Sequence, residues 1–194
     1  RGLSQTMTTI GWGDIRRNTT ILMDGEVWRI VEYSHRKAPH AAPTMTLKLK
    51  NLRSGKVLER TMNAKYTLTA APTEMRACQF LYGDGDSLMF MDTQSFEQFP
   101  VSIEVANQAA SYLVEGALCD VRMFQGDPVT IELPTTVVLT VKETEPSYKG
   151  DTEAGNTKPA LTGTGLKLQV PFFVGQGQKI RVDTRTGEYV ERAG

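Results

Sequence analysis

Short runs in which every second residue is apolar, broken by Gly, Asp and Pro, cover most of the 194-residue chain. A period of two sends alternate side chains to opposite faces of a strand, so the pattern predicts β structure. Ile21-Leu22-Met23 meets Asp24-Gly25 and continues as Val27 to Tyr33. Asp-Gly between two apolar runs is a hairpin signal. Met45 to Leu52 alternates, turns at Arg53-Ser54-Gly55-Lys56 and returns through Val57 to Met62. That predicts a second hairpin, with one apolar face and one basic face. Cys78 to Tyr82 and Ser87 to Met91 flank a turn at Gly83-Asp84-Gly85-Asp86, and Leu118 to Phe124 turns at Gln125-Gly126-Asp127 into Pro128 to Leu133. Val137 to Val141, Gly165 to Val170, Lys179 to Val182 and Glu188 to Val190 predict the strands of the last third. Glu143 to Thr157 reads as a polar loop, Asp183 to Gly187 as the final turn, and Val105 to Glu115 as the one short helix.

Strands this short, spaced by Gly-bearing turns, predict an all-β chain of small barrels. Boundaries near Ala70-Ala71-Pro72 and Leu133-Pro134 divide it into residues 1–70, 71–133 and 134–194. Each unit is the size of a five-stranded SH3-like or OB-type barrel. A composition 40% hydrophobic and 23% charged is that of an ordinary soluble protein. No apolar run reaches the roughly 18 residues that span a membrane, and Arg1 to Thr9 lack the apolar block of a signal peptide. A start at Arg1 fits a processed product or extra residues ahead of Met7. Cys78 and Cys119, far apart and without CxxC spacing, read as two buried thiols in a reducing, intracellular compartment, a disulfide being the alternative.

Charge changes the picture. Twenty-two Lys and Arg balance twenty-two Asp and Glu, which taken whole argues against a phosphate-binding protein. Yet residues 1–70 carry +7, residues 71–130 carry −7 and residues 131–194 are neutral. A basic first unit attracts phosphate locally, while an acidic second unit limits indiscriminate binding. Lys48 and Lys50 share a strand face, and Arg53, Lys56 and Arg60 continue through the hairpin, with Arg16, Arg17, Arg36 and Lys37 nearby in sequence. The alternatives are a nucleic-acid surface and a merely solvated basic face.

Ser34 to Thr44 reads as a loop stiffened by Pro39 and Pro43, and it holds both histidines, His35 and His40. Two histidines at i, i+5 without a carboxylate or Cys are too few for a structural zinc site, so no metal and no cofactor are expected. There is no GxSxG, Walker loop or HExxH, and the histidines have no recognisable catalytic partner. Gly11-Trp12-Gly13 and Gly83-Asp84-Gly85 lack the strand-to-helix context of a phosphate loop. No catalysis is expected.

Several stretches together resemble the bacterial translation elongation factor P family, over about Thr9 to Arg192. In the last unit Lys158-Pro159-Ala160, Gly165, Leu168-Gln169-Val170-Pro171, Val174 and Gly177 fit the family signature, and Asp183 to Tyr189 fits its closing hairpin. Tyr148-Lys149-Gly150-Asp151 and Leu133-Pro134 resemble family segments in the same unit. Tyr82 to Asp92 and Phe96-Glu97-Gln98 resemble the middle domain, and Asp24 to Trp28 and Lys48 to Leu52 the first. The resemblance implies an SH3-like, KOW-type domain followed by two OB-fold domains in an L-shaped, tRNA-like outline. It implies a cytoplasmic, monomeric factor (organellar if the chain is processed) that binds the ribosome between the P and E sites. The implied work is to relieve stalling at consecutive prolines by holding the peptidyl-tRNA end in a productive pose, the ribosome doing the chemistry. The alternative is a divergent paralogue that binds ribosome or structured RNA without that rescue.

The family loop usually reads Pro-Gly-Lys-Gly or Pro-Gly-Arg-Gly, often with a modified tip. Here Ala38-Pro39-His40-Ala41 takes its place. The resemblance implies a tRNA-end loop of Arg36, Lys37, Ala38, Pro39, His40 and Ala41, with phosphate contacts at Lys48, Lys50, Arg53 and Lys56. His40 cannot take the family's usual modification. Lys37 remains a candidate for it, with phosphate contact the favoured role.

Overall fold

The computed structural model describes residues 7–63, 65–146 and 157–194. Tyr148 to Asp151 and the residues before Met7 fall outside them. The chain is nearly all-β, with sixteen strands in three sheets among the described residues.

The first sheet holds β1 (Thr9–Ile10), β2 (Thr20–Met23), β3 (Glu26–Ala38), β4 (Ala41–Asn51), β5 (Val57–Asn63) and β6 (Leu68–Ala70), in the order β1-β6-β2-β3-β4-β5. Asp24 and Gly25 both take positive φ (54° and 77°) between β2 and β3, the conformation for which Asp-Gly is suited. Along β4 the alternation holds: Met45, Leu47 and Leu49 are fully buried while Thr46, Lys48 and Lys50 face out. Ile15, Ile21, Trp28 and Ile30 complete that core. A smaller cluster joins Val27, Leu52 and Ala71 to Val129.

The second sheet has β7 (Glu74–Gly83), β8 (Ser87–Asp92), β9 (Gln98–Ser102), β10 (Leu118–Phe124) and β11 (Asp127–Glu132), in the order β11-β10-β7-β8-β9. The helix expected over Val105 to Glu115 is shorter and broken. Ser102 caps α1 (Ile103–Ala106) by accepting from the Val105 amide, and a 3₁₀ segment follows over Asn107–Tyr112. Asn107 breaks the helix, with φ at 47° and ψ at −128°, far from helical values. Cys78 and Cys119 are free, buried thiols, pushed up to about 11 and about 12 chiefly by burial, which makes them inert.

The third sheet has β12 (Thr136–Thr144), β13 (Thr157–Thr162), β14 (Lys167–Pro171), β15 (Lys179–Asp183) and β16 (Tyr189–Arg192), in the order β14-β13-β12-β15-β16. Strand β13 was hidden in the sequence by Pro159, since proline argues against a sheet interior. Its core is Leu139, Val141, Ala160, Leu168, Val170, Val174, Ile180 and Val182, with Tyr112 inserted from the 3₁₀ segment.

The chain divides into two compact units, residues 1–75 with 122–130 and residues 76–121 with 131–194. The turn between β15 and β16 is closed by Asp183, whose carboxylate accepts from the Arg185 backbone amide (2.8 Å), Nε (3.1 Å) and Nη2 (2.6 Å). Those Arg185 bonds lower the Asp183 pKa to about 2. A carboxylate depressed in the folded state stabilises it above the ordinary carboxylate range, and that contribution fades as pH falls toward 2. Arg185→Ala is therefore expected to move the Asp183 carboxyl midpoint up toward the ordinary value, read by carbon NMR titration. An unmoved midpoint would place the cause elsewhere.

Candidate nucleic-acid interface

The segment 34–44 is not an irregular loop. Strands β3 and β4 continue through it as a two-stranded arm, pairing Ser34 with Thr46, His35 with Met45, Arg36 with Thr44 and Ala38 with Ala41. Only Pro39 and His40 form the turn. The prolines that suggested a loop sit where a ribbon tolerates them. Pro39 occupies the turn, and Pro43 lies in an irregularity of the ladder where β4 carries an extra residue. Neither Pro39 nor His40 has positive φ, so this tip needs no glycine. The last buried residue of the arm is Met45, paired with the exposed His35, so the arm projects about 10 Å further, at about 3.3 Å per residue.

Pairing register assigns the faces. Tyr33 and His35 lie opposite Leu47 and Met45, on the core side of the sheet. Glu32, Ser34 and Arg36 lie opposite Lys48, Thr46 and Thr44, on the outer side. Successive side chains alternate, so Arg36 and Lys37 point to opposite sides of the arm rather than forming one patch. Both are exposed, as are Pro39, His40 and Ala41.

The expected phosphate contacts are not equivalent. Lys48 is shared with acid: its Nζ lies 3.6 Å from Glu32, which also meets Arg17 at 3.8 Å, and Glu59 is its register partner on β5. With Arg16, these charged groups line an open groove of about 750 Å³. Lys50, Arg53 and Lys56 are exposed at the other end of the β4–β5 hairpin. Arg60 pairs with Leu47 and so leaves the Lys48–Lys50 face. The counter-charges Glu32 and Glu59 could be found in sequence only once the register was known.

The signature residues of the last unit build the barrel. Lys158 is 1% exposed and donates to the Glu145 carbonyl at 2.7 Å, which holds the end of β12. Ala160 and Val170 are core, and Pro171 ends β14 opposite Thr157. Gly165 and Gly177 turn the chain with φ of 90° and 82°, where a side chain would be strained.

One contact was missed from sequence. Trp12, on a 3₁₀ turn over Trp12–Asp14, donates from Nε1 to His35 Nδ1 at 3.1 Å. Its ring lies 5.4 Å from the imidazole, and Tyr33 meets the same imidazole edge-on at 5.7 Å. Among the described residues no group of three or more His, Cys, Asp or Glu could hold a metal, and no helix is long and apolar enough to cross a membrane.

Residues 12–68 match the elongation factor P KOW-like domain, residues 73–131 the elongation factor P OB domain, and residues 137–192 the C-terminal domain of elongation factor P. Elongation factor P of Moorella thermoacetica is 45% identical over 184 residues, covering 95% of this chain and 100% of its own. That of Thermotoga maritima is 45% identical over 181 residues (93% of this chain, 98% of its own), and that of Acidothermus cellulolyticus 41% over 180 residues (93% and 96%). Among solved structures, eukaryotic translation initiation factor 5A from Methanococcus jannaschii shares the fold. It aligns with a TM-score of 0.55 at 17% identity, over 69% of this chain and 98% of its own. With these matches in sequence order along nearly its whole length, the chain belongs to the elongation factor P family.

Proposed function

We propose that this chain is a translation elongation factor that binds the ribosome beside peptidyl-tRNA, between the P and E sites, and promotes peptide-bond formation at proline-rich stalls. The observation that carries this reading is the projecting arm, a paired β ribbon closed by Pro39 and His40. Proline is a poor nucleophile and a constrained donor, so its reaction is limited by reaching a near-attack arrangement. A tip that is already ordered loses little entropy on binding and can hold the tRNA end in place. The factor is not the catalyst; the ribosome supplies the chemistry. It acts as a cytoplasmic monomer, without metal or cofactor, through barrels at residues 1–70, 71–133 and 134–194. Arg36, Lys37, Ala38, Pro39, His40 and Ala41 form the tip region. Lys50, Arg53 and Lys56 meet RNA phosphate, and Lys48, beside Glu32, contributes less. Lys37 meets phosphate and is not the modified residue.

His40 at the tip favours a second reading, a paralogue that binds ribosome or structured RNA without polyproline rescue. A polyproline reporter in cells lacking the host factor separates the two. Rescue by this chain supports the first; 70S binding without rescue supports the second. The phosphate assignment is checked in the same binding assay. Replacing Lys50, Arg53 and Lys56 by Gln is expected to reduce the slope of log affinity against log salt by roughly 2 to 3. An unchanged slope would remove this face from the interface.

A further inference from the structure

Trp12 joins the barrel to the arm by a single polar bond. Its platform is rigid. The Asp14 amide bonds to the Gly11 carbonyl at 3.0 Å, Arg16 Nη1 clamps the Gly13 and Ile15 carbonyls at 2.7 and 2.8 Å, and Ile15 is buried in the core. Trp12 itself packs partly against the cluster that contains Met45. From there its indole N–H reaches the exposed His35, whose register partner Met45 is the last buried residue of the arm. Because Nδ1 accepts this bond, the imidazole carries its proton on Nε2, and the ring is fixed in orientation as well as position. Tyr33 closes the other side edge-on, the geometry aromatic rings prefer.

A two-stranded ribbon is marginal on its own. Beyond His35 the arm has its ladder, and its described side chains from Arg36 to Pro43 are exposed. Whatever fixes the direction of its free end must therefore act at the base, where His35 leaves the barrel. We propose that Trp12 is a positioning residue for the arm, setting through His35 the direction in which the Pro39–His40 tip points. The brace itself stands on the free protein's geometry; its consequence for peptide-bond formation rests on the function proposed above. Trp12 touches no reacting group, and its effect passes entirely through His35 and the β3–β4 ladder.

Two variants test this. Trp12→Phe keeps an aromatic ring on the barrel and removes the donor. His35→Phe keeps a ring on the arm and removes the acceptor. By hydrogen exchange on the free protein, the amides of Ser34 to Lys37 and Thr44 to Thr46 are expected to exchange roughly five- to tenfold faster in either variant, with those of Ile30 and Leu49 unchanged. The double variant should be no faster than the singles, because both remove one shared interaction. His35→Gln, whose side-chain oxygen can accept from the indole, should restore slow exchange. In a Pro–Pro synthesis assay, Trp12→Phe should lower the maximal rate several-fold at an unchanged half-saturating concentration. Unchanged arm exchange would overturn the brace, and so would additive effects in the double variant. Faster exchange with an unchanged maximal rate would overturn the positioning role. If the wild-type chain does not accelerate Pro–Pro synthesis, the function fails while exchange, measured without ribosomes, still decides the brace.

Discussion

Tyr112→Ala is expected to destabilise the unit formed by residues 76–121 and 131–194 by about 3 to 5 kcal/mol, the usual cost of deleting a buried aromatic ring. Tyr112 leaves the 3₁₀ segment at 7% exposure and enters the core around Leu139, Val141 and Ile180. It is a ring from one sheet's connection used as core by another. Two neighbours hold it there. Thr164 Oγ1 donates to the Ser111 carbonyl at 2.6 Å, and Thr162 in turn ties Thr164 to the Leu166 amide. At Gly187 the φ of 76° favours glycine, and an added Cβ would lie 3.1 Å from the Tyr112 hydroxyl, a tight contact. Burial, and then Asp183, push the Tyr112 hydroxyl pKa up, in keeping with a neutral phenol. Urea unfolding measures the loss, and Tyr112→Phe, which keeps the ring, should cost less than about 1.5 kcal/mol. If Tyr112→Ala cost under about 1 kcal/mol, the ring would not be a structural peg.

The hairpins were legible because their signals are local. Asp24-Gly25 names its own turn, and Met45, Leu47 and Leu49 name the buried face by spacing alone. The arm was misread because a proline's effect depends on the register it falls in. Pro39 and Pro43 look like breakers in sequence, and only the ladder shows that one sits in the turn and the other beside an unpaired step. Burial of Lys158 was equally invisible, since nothing in Lys-Pro-Ala shows that an ammonium group will meet the Glu145 carbonyl. Charge was legible as a sum and not as a field. The +7 of residues 1–70 is visible in the sequence, but Glu32 and Glu59 come beside Lys48 only when β3 and β5 flank β4. The Trp12–His35 bond joins residues 23 apart and has no local signature at all. What sequence conveys is what neighbours along the chain decide; the candidate site depends mainly on neighbours across strands.

Shortening the arm is expected to abolish function without unfolding the barrel. Replacing Lys37 to Pro43 by Asn-Gly joins the register partners Arg36 and Thr44 through a turn suited to a hairpin and withdraws the tip by roughly 7 Å. The core keeps Met45, Leu47 and Leu49, and β4 keeps its pairing with β5 from Thr44 to Lys50, so the melting temperature should hold. Lys50, Arg53 and Lys56 lie at the far end of the β4–β5 hairpin, so ribosome affinity and its salt slope should largely persist. The rate of Pro–Pro synthesis in the presence of saturating factor should fall by about a hundredfold or to the unassisted rate, because misplacement by as little as 1 Å can cost that much where catalysis is positional. His40→Ala in the full-length arm should lose less, since the ribbon, Pro39 and the reach of the tip remain. Comparing the two measures how much of the effect is reach and how much is imidazole. If the shortened arm sustained the wild-type rate, the tip would not act on the tRNA end, and what remained of the interface would be the basic end of the β4–β5 hairpin.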